Sequence, residues 1–163
     1  MNIILKNRFL YFEKHKIRCS VGKKGISYKK KEGDNKTPSG NFKFKYILYR
    51  KDRIYNFKTK LKKIKIKKNM GWCDDPRSKY YNKLIKIPFH YSYEKLWLKK
   101  NIYDIILIID YNFHPIIKHK GSAIFLHIAK NKYQSTRGCV AVSKRDMRLL
   151  VSKINKKTKI KIC

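Results

Sequence analysis

"SAIFLHIAKNKYQSTRGCVAVSKRDMRLLVSKINKK", Ser122 to Lys157, joins three kinds of local pattern. It opens with a short apolar run interrupted by one histidine, His127. A polar loop follows, then a single cysteine, Cys139, directly behind Gly138 and ahead of "VAVS". From Ser143 the period changes. Ser143 and Asp146 stand at capping-box positions, and Met147, Leu150, Val151 and Ile154 recur at helical spacing. This pattern predicts one helix over residues 143–155, immediately after the cysteine segment.

The remainder of the chain alternates instead. "NIILKNRFLYF", "KIRCSVG", "NFKFKYILYR", "KLKKIKIKK" and "YDIILIID" are short runs rich in β-branched and aromatic residues. Phe42, Phe44 and Tyr46 keep a period of two, as do Leu61, Ile64 and Ile66 with one slip. Turn residues separate the runs at "EGDNKTPSGN" and "GWCDDPRS". The expected fold is mainly β, a sandwich or partial barrel with one C-terminal helix. There is no internal repeat and no Ser/Gly-rich linker, and 163 residues suit one domain spanning 1–163.

The formal net charge is +33, from 43 basic and ten acidic residues, while 42% hydrophobic content argues for a packed globule. Such a charge attracts polyanions: nucleic acid, anionic lipid or cell-wall polymer. Only eight of the basic residues are arginine, the type preferred for bidentate phosphate and base contacts. Abundant Lys, Ile, Asn and Tyr also match the codon bias of an A/T-rich genome. A basic nucleic-acid-binding protein is therefore the rival function. It calls for basic residues clustered with exposed aromatics on one face, whereas these lysines are spread over every segment.

Cys19, Cys73, Cys139 and Cys163 lie far apart with no C-x-x-C, so the paired spacing of a structural zinc site is missing. His90, His114 and His119 show no ligand spacing either. No metal and no cofactor are expected. The longest apolar run, "YDIILII", is far short of the roughly 20 residues of a membrane helix. The N-terminal stretch is broken by charges before any signal-like core forms.

Cys139 is open to three readings: buried structural thiol, metal ligand or nucleophile. A nucleophile needs a base that favours thiolate and donors for an oxyanion. Gly138 lets the backbone turn so that amides converge on a carbonyl. Arg137 would add positive potential. His127 is the candidate base, since a hairpin-like return to Cys139 twelve positions later would place both side chains at one strand end. A core histidine satisfied by a carbonyl remains the alternative.

"SAIFLHIA…STRGCVAVS" resembles the active-site signature of L,D-transpeptidases of the YkuD/ErfK family, a histidine-bearing strand followed by S/T-x-G-C. "KTPSG" resembles the same family's upstream turn. "GWCDDP", Tyr81–Asn82 and "YEKLW" fit a bacterial subgroup little longer than the catalytic domain. The resemblance covers residues 18–162. It implies Cys139 as nucleophile and His127 as general base. Gly138 would supply the oxyanion hole with its own and the Cys139 backbone N–H, and Thr136 would be the small hydroxyl residue. Arg137, in a supporting role, stands where many members have histidine.

The implied reaction is acyl transfer on peptidoglycan stem peptides: a Cys139 thioester forms, D-alanine leaves, and an amine acceptor makes the cross-link. With water as acceptor the enzyme is an L,D-carboxypeptidase. Such a protein acts as a monomer in the periplasm or cell envelope, a location that follows from the substrate alone. Trp72, Asp74 and Asp75 of "GWCDDP" are candidate substrate-binding residues, the two acids for an ammonium group. Asp before Pro76 reads equally well as a turn.

Overall fold

A computed structural model describes residues 1–28 and 30–163. The chain opens with three antiparallel strands, β1 (Asn2–Lys6), β2 (Phe9–Phe12) and β3 (His15–Ser20). Two short parallel strands follow, β4 (Ile26–Ser27) and β5 (Thr37–Pro38), then the long β6 (Gly40–Tyr49) and β7 (Lys63–Lys65). A separate antiparallel sheet is built from β8 (Met70–Cys73), β9 (Leu84–Lys86) and β10 (Tyr93–Lys95). β11 (Ile105–Ile109), β12 (Phe125–Ile128), β13 (Val140–Val142), the helix α1 (Lys144–Lys153) and β14 (Lys159–Ile162) complete the fold.

The main sheet runs β11-β12-β13-β3-β2-β1-β14-β6, and β6 pairs again with β11, so eight strands close into a barrel with β7 appended to β6. Closure depends on β6. Its first residues pair with β14 (Ile160↔Phe42) and its later ones with β11 (Ile106↔Leu48). Between these pairings β6 uses three residues where β11 uses two: Leu107 faces Ile47, but Ile109 faces Phe44. This bulge bends the strand as a closing barrel requires. It also breaks the expected single-faced run. Phe44 points into the barrel core, whereas Tyr46 packs on the outer layer.

Inside the barrel Ile3, Leu5, Leu10, Ile17, Leu107, Leu126 and Val140 form one apolar cluster, joined by Met147, Leu150 and Val151 of α1. A second cluster lies between the outer face of β11–β12 and the β8–β9–β10 sheet, with Trp72, Leu96, Ile106, Ile108 and Phe125. The middle strands are thus covered on both faces, which explains why β11 is buried at all five positions. The helix begins where the sequence pattern places it. Asp146 N–H donates to Ser143 Oγ at 3.0 Å, while Ser143 Oγ donates to Asp146 Oδ2 at 2.6 Å. One methylene shorter than glutamate, the Asp146 side chain takes the cap hydroxyl. Among the described residues no helix is long and apolar enough to cross a membrane.

Leu107→Ala, which empties a fully buried barrel position, is expected to cost about 2–5 kcal/mol in urea unfolding. Ser143→Ala should cost only about 1 kcal/mol by loss of the cap.

Candidate active site

His127 and Cys139 are brought together by one pairing. β12 and β13 are parallel neighbours with Leu126 beside Val140 and His127 beside Ala141. Since side chains alternate along a strand, Phe125, His127, Cys139 and Ala141 share a face. Leu126, Ile128, Val140 and Val142 point the other way, into the barrel. The shared face looks outward onto a cleft of about 640 Å³ whose lining includes His127, Thr136, Arg137 and Cys139.

Two of these groups are held by backbone. His127 Nδ1 lies 2.9 Å from Ile128 O. A carbonyl only accepts, so Nδ1 carries the proton and Nε2 is left as the basic nitrogen. The Cys139 thiol donates to Ala123 O at 3.1 Å and accepts from Phe125 N–H at 3.4 Å. Its hydrogen bonds go to the start of β12, and none runs to His127 in this resting geometry. Ala123 itself sits in the left-handed region with φ +52°, which aims its carbonyl at the sulfur.

Burial sets the protonation of both. It brings the His127 imidazole down to about 4, its bond to Ile128 opposing and the Lys130 charge reinforcing the shift. Burial likewise pushes the Cys139 thiol up to about 12, aided by the negative charge of Glu94. The resting pair is therefore neutral thiol and neutral imidazole. The His127 ring is packed edge-to-face against Tyr103, with centroids 5.3 Å apart, and the Tyr103 hydroxyl donates to Glu94.

The S-T-R-G-C turn is clamped by one hydroxyl. Thr136 Oγ1 donates to Cys139 O at 2.6 Å and accepts from Gly138 N–H at 3.1 Å. The Gly138 amide, expected as an oxyanion donor, is thus engaged with Thr136 in the resting state. Gly138 has φ +138°, and a Cβ there would lie 2.8 Å from Lys36 O. Glycine is needed for the turn and for the approach of the "KTPSG" segment. That segment is anchored by Thr37, whose Oγ1 accepts from Gly22 N–H at 2.8 Å.

Of the remaining sequence candidates, Arg137 is exposed at the cleft and Asp74 lines it. Asp75 does not. It is paired with Arg77 (Oδ2 to Nη2, 2.6 Å) and caps the turn through Arg77 N–H at 3.0 Å. The Arg77 guanidinium holds its carboxyl well below the usual range. Trp72 is also away from the cleft, fully buried, its indole N–H donating to Asn82 Oδ1 at 3.0 Å.

Asn82 is a residue whose role the sequence did not disclose. Its Oδ1 also accepts from Ala123 N–H at 3.1 Å, and its Nδ2 donates to Asn112 O at 2.9 Å. It thereby fixes the carbonyl-bearing loop that holds the thiol. Tyr81 acts alongside, accepting from Gly121 N–H at 3.0 Å and donating to Glu32 at 2.5 Å. Glu32, Glu94, Tyr103 and Ser122 were likewise not singled out, although all line the cleft. The signal available was an isolated acid inside a lysine-rich strand pattern, as at Glu94.

The family model for the L,D-transpeptidase catalytic domain, YkuD, matches residues 3–162. The chain belongs to the YkuD family. No curated protein matches it significantly. Among solved structures it is similar to one titled "Structure of Bdellovibrio bacteriovorus Bd1075", at 17% identity and a TM-score of 0.49. The likeness covers 99% of this chain and 46% of that one, so the chain spans about half the length of the structure it matches.

Two outcomes follow from this geometry. With its thiol pushed up to about 12, Cys139 should react with iodoacetamide more slowly at pH 7 than a free cysteine peptide. Its rate should climb with pH to 10 without a plateau, because thiolate accumulates only as the raised value is approached. A plateau near pH 8 would contradict the neutral resting pair. Thr136→Val keeps the shape but removes both clamp bonds, and should lower Cys139 acylation by about tenfold, on the scale of one lost positioning contact.

Proposed function

We propose that the protein is a cysteine acyltransferase acting on peptidoglycan stem peptides in the cell envelope. The observation that carries this reading is the placement of Cys139 and His127 on one face of adjacent parallel strands, at an accessible cleft. Family membership agrees with it.

The reaction starts from the neutral pair. A stem peptide enters with the carbonyl before its terminal D-alanine at Cys139. The thiol turns from Ala123 O towards His127 Nε2, which takes its proton as sulfur attacks. The carbonyl carbon gains the C–S bond and its oxygen becomes an oxyanion, stabilised by the Cys139 backbone N–H. Collapse breaks the C–N bond, and D-alanine leaves with the proton held by His127. An acceptor amine then attacks the thioester, giving its proton to His127 and restoring the thiol as the new amide forms. Nδ1 keeps its bond to Ile128 O throughout, so the ring presents the same nitrogen at each step.

The test is release of D-alanine from a tetrapeptide stem and joining of the remaining acyl group to an added amine. Cys139→Ala should abolish both while leaving the thermal transition intact. His127→Ala should lower kcat/KM by about two to four orders of magnitude, the scale of a lost general base. A carbapenem adduct should map to Cys139. Adduct on Cys73 or Cys163, or near-normal turnover by His127→Ala, would overturn the assignment.

A further inference from the structure

β3, β2, β1 and β14 are consecutive neighbours in the barrel wall, and none of them contains an acidic residue. Register joins their outward positions into one patch. Lys16 and Arg18 of β3 stand beside Tyr11 and Phe9 of β2, which stand beside Ile4 and Lys6 of β1. Ile4 is in turn beside Lys161 of β14, with Lys159 two residues back on the same face. Five cations thus surround three apolar side chains, of which Ile4 is 43% and Tyr11 36% exposed. The nearby acids are already engaged. Glu13, in the β2–β3 turn, is paired with Lys153 at 3.3 Å, and Asp110 accepts from the Lys43 backbone N–H on β6. Lysines that look evenly spread along the sequence are here gathered with aromatics on one face.

The patch lies across the barrel from the Cys139 cleft. β1, at its centre, is four strands from β12 in either direction around the closed sheet of eight. A partner held there leaves the cleft open. Its chemistry is bounded by the side chains. A second copy of the chain is excluded, because two such faces repel. Nucleic acid calls for free aromatic faces and forked guanidinium contacts. Neither is offered: Lys16 Nζ already sits over the Phe9 ring at 4.6 Å and the Tyr11 ring at 5.9 Å. The one arginine, Arg18, lies over the Tyr133 ring at 4.8 Å. The other four cations are lysines, which bind phosphate as point charges without reading its shape.

We infer that the outward face of β3–β2–β1–β14 docks the protein on the anionic phospholipid headgroups of a membrane surface, with the Cys139 cleft turned away from the bilayer. The lysines meet the phosphate layer while Ile4 and Tyr11 enter the boundary between headgroups and acyl chains, the division of labour of a basic interfacial surface. A convex barrel wall suits a plane, whereas a strand of nucleic acid is held in a groove. Docking stands apart from acyl transfer: neither the binding nor the thiol measurement below depends on turnover.

Co-sedimentation with phosphatidylcholine vesicles containing about 30% phosphatidylglycerol tests the face against net charge alone. Lys159→Gln/Lys161→Gln should weaken binding at least about tenfold, the scale of two lost lysine contacts. Lys67→Gln/Lys68→Gln, an equal charge change in the exposed loop before β8, should weaken it by less than about threefold. Ile4→Asn should cost about threefold on vesicles and nothing on single-stranded DNA, because only a bilayer accepts the apolar side chain. All three variants should keep the parent's thermal transition, since every changed side chain is exposed. Iodoacetamide modification of Cys139, followed by peptide mapping, should proceed on vesicle-bound protein at the same rate as on free protein. No binding to the anionic vesicles, or equal losses from the two lysine pairs, overturns the docking face. A larger loss on single-stranded DNA than on vesicles for Lys159→Gln/Lys161→Gln overturns the lipid in favour of nucleic acid. Protection of Cys139 on vesicles overturns the orientation.

Discussion

Double burial of β12 is the constraint on which the site depends. The strand is packed on one side by the barrel core and on the other by Trp72 and the outer sheet, and all four of its residues are buried. A strand in that position should carry only apolar side chains, and β12 carries His127. Water cannot solvate the imidazolium there, so the ring stays neutral and needs an internal partner, which Ile128 O provides. The same layer buries Cys139. Neutrality of both groups follows from where the strands lie, before any catalytic partner is considered.

That neutrality places a demand on the rest of the cleft. Separating charge between sulfur and imidazole is unfavourable while the pair is dry and Glu94 stands near the sulfur. Arg137 and Lys30 oppose this only weakly, because Arg137 is exposed and Lys30 is tied to Asp34. In the proposed reaction thiolate therefore forms with the attack and not ahead of it.

Much of the site was legible because it is local. Gly138 before Cys139, the histidine in an apolar strand and the Ser143 cap lie close together in the chain, although β12 and β13 pair in parallel where a hairpin-like return was expected. The strand character of most segments was equally readable from period two. Barrel closure was not. It rests on β6 pairing with both β14 and β11, between residues 56 to 122 positions apart, and on a bulge that period two cannot reveal. For the same reason "GWCDDP" was only half readable. Asp74 and Asp75 are indistinguishable in composition, and the chain decides between them by giving Asp75 to Arg77.

The outer sheet, minor in size, therefore supports the candidate site as much as the barrel does. Asn82 lies just ahead of β9, and its amide ties Trp72 of β8 to Ala123, whose carbonyl holds the thiol. Glu94 of β10 reaches Tyr103, which packs against His127. His127 and the loop that holds Cys139 are thus braced from the outer sheet as well as from the barrel strands. Asp74, whose Oδ1 is buried without a hydrogen bond, lines the cleft at that seam. The barrel supplies the His127–Cys139 pair, and the outer sheet supplies the side chains that brace it from the other side.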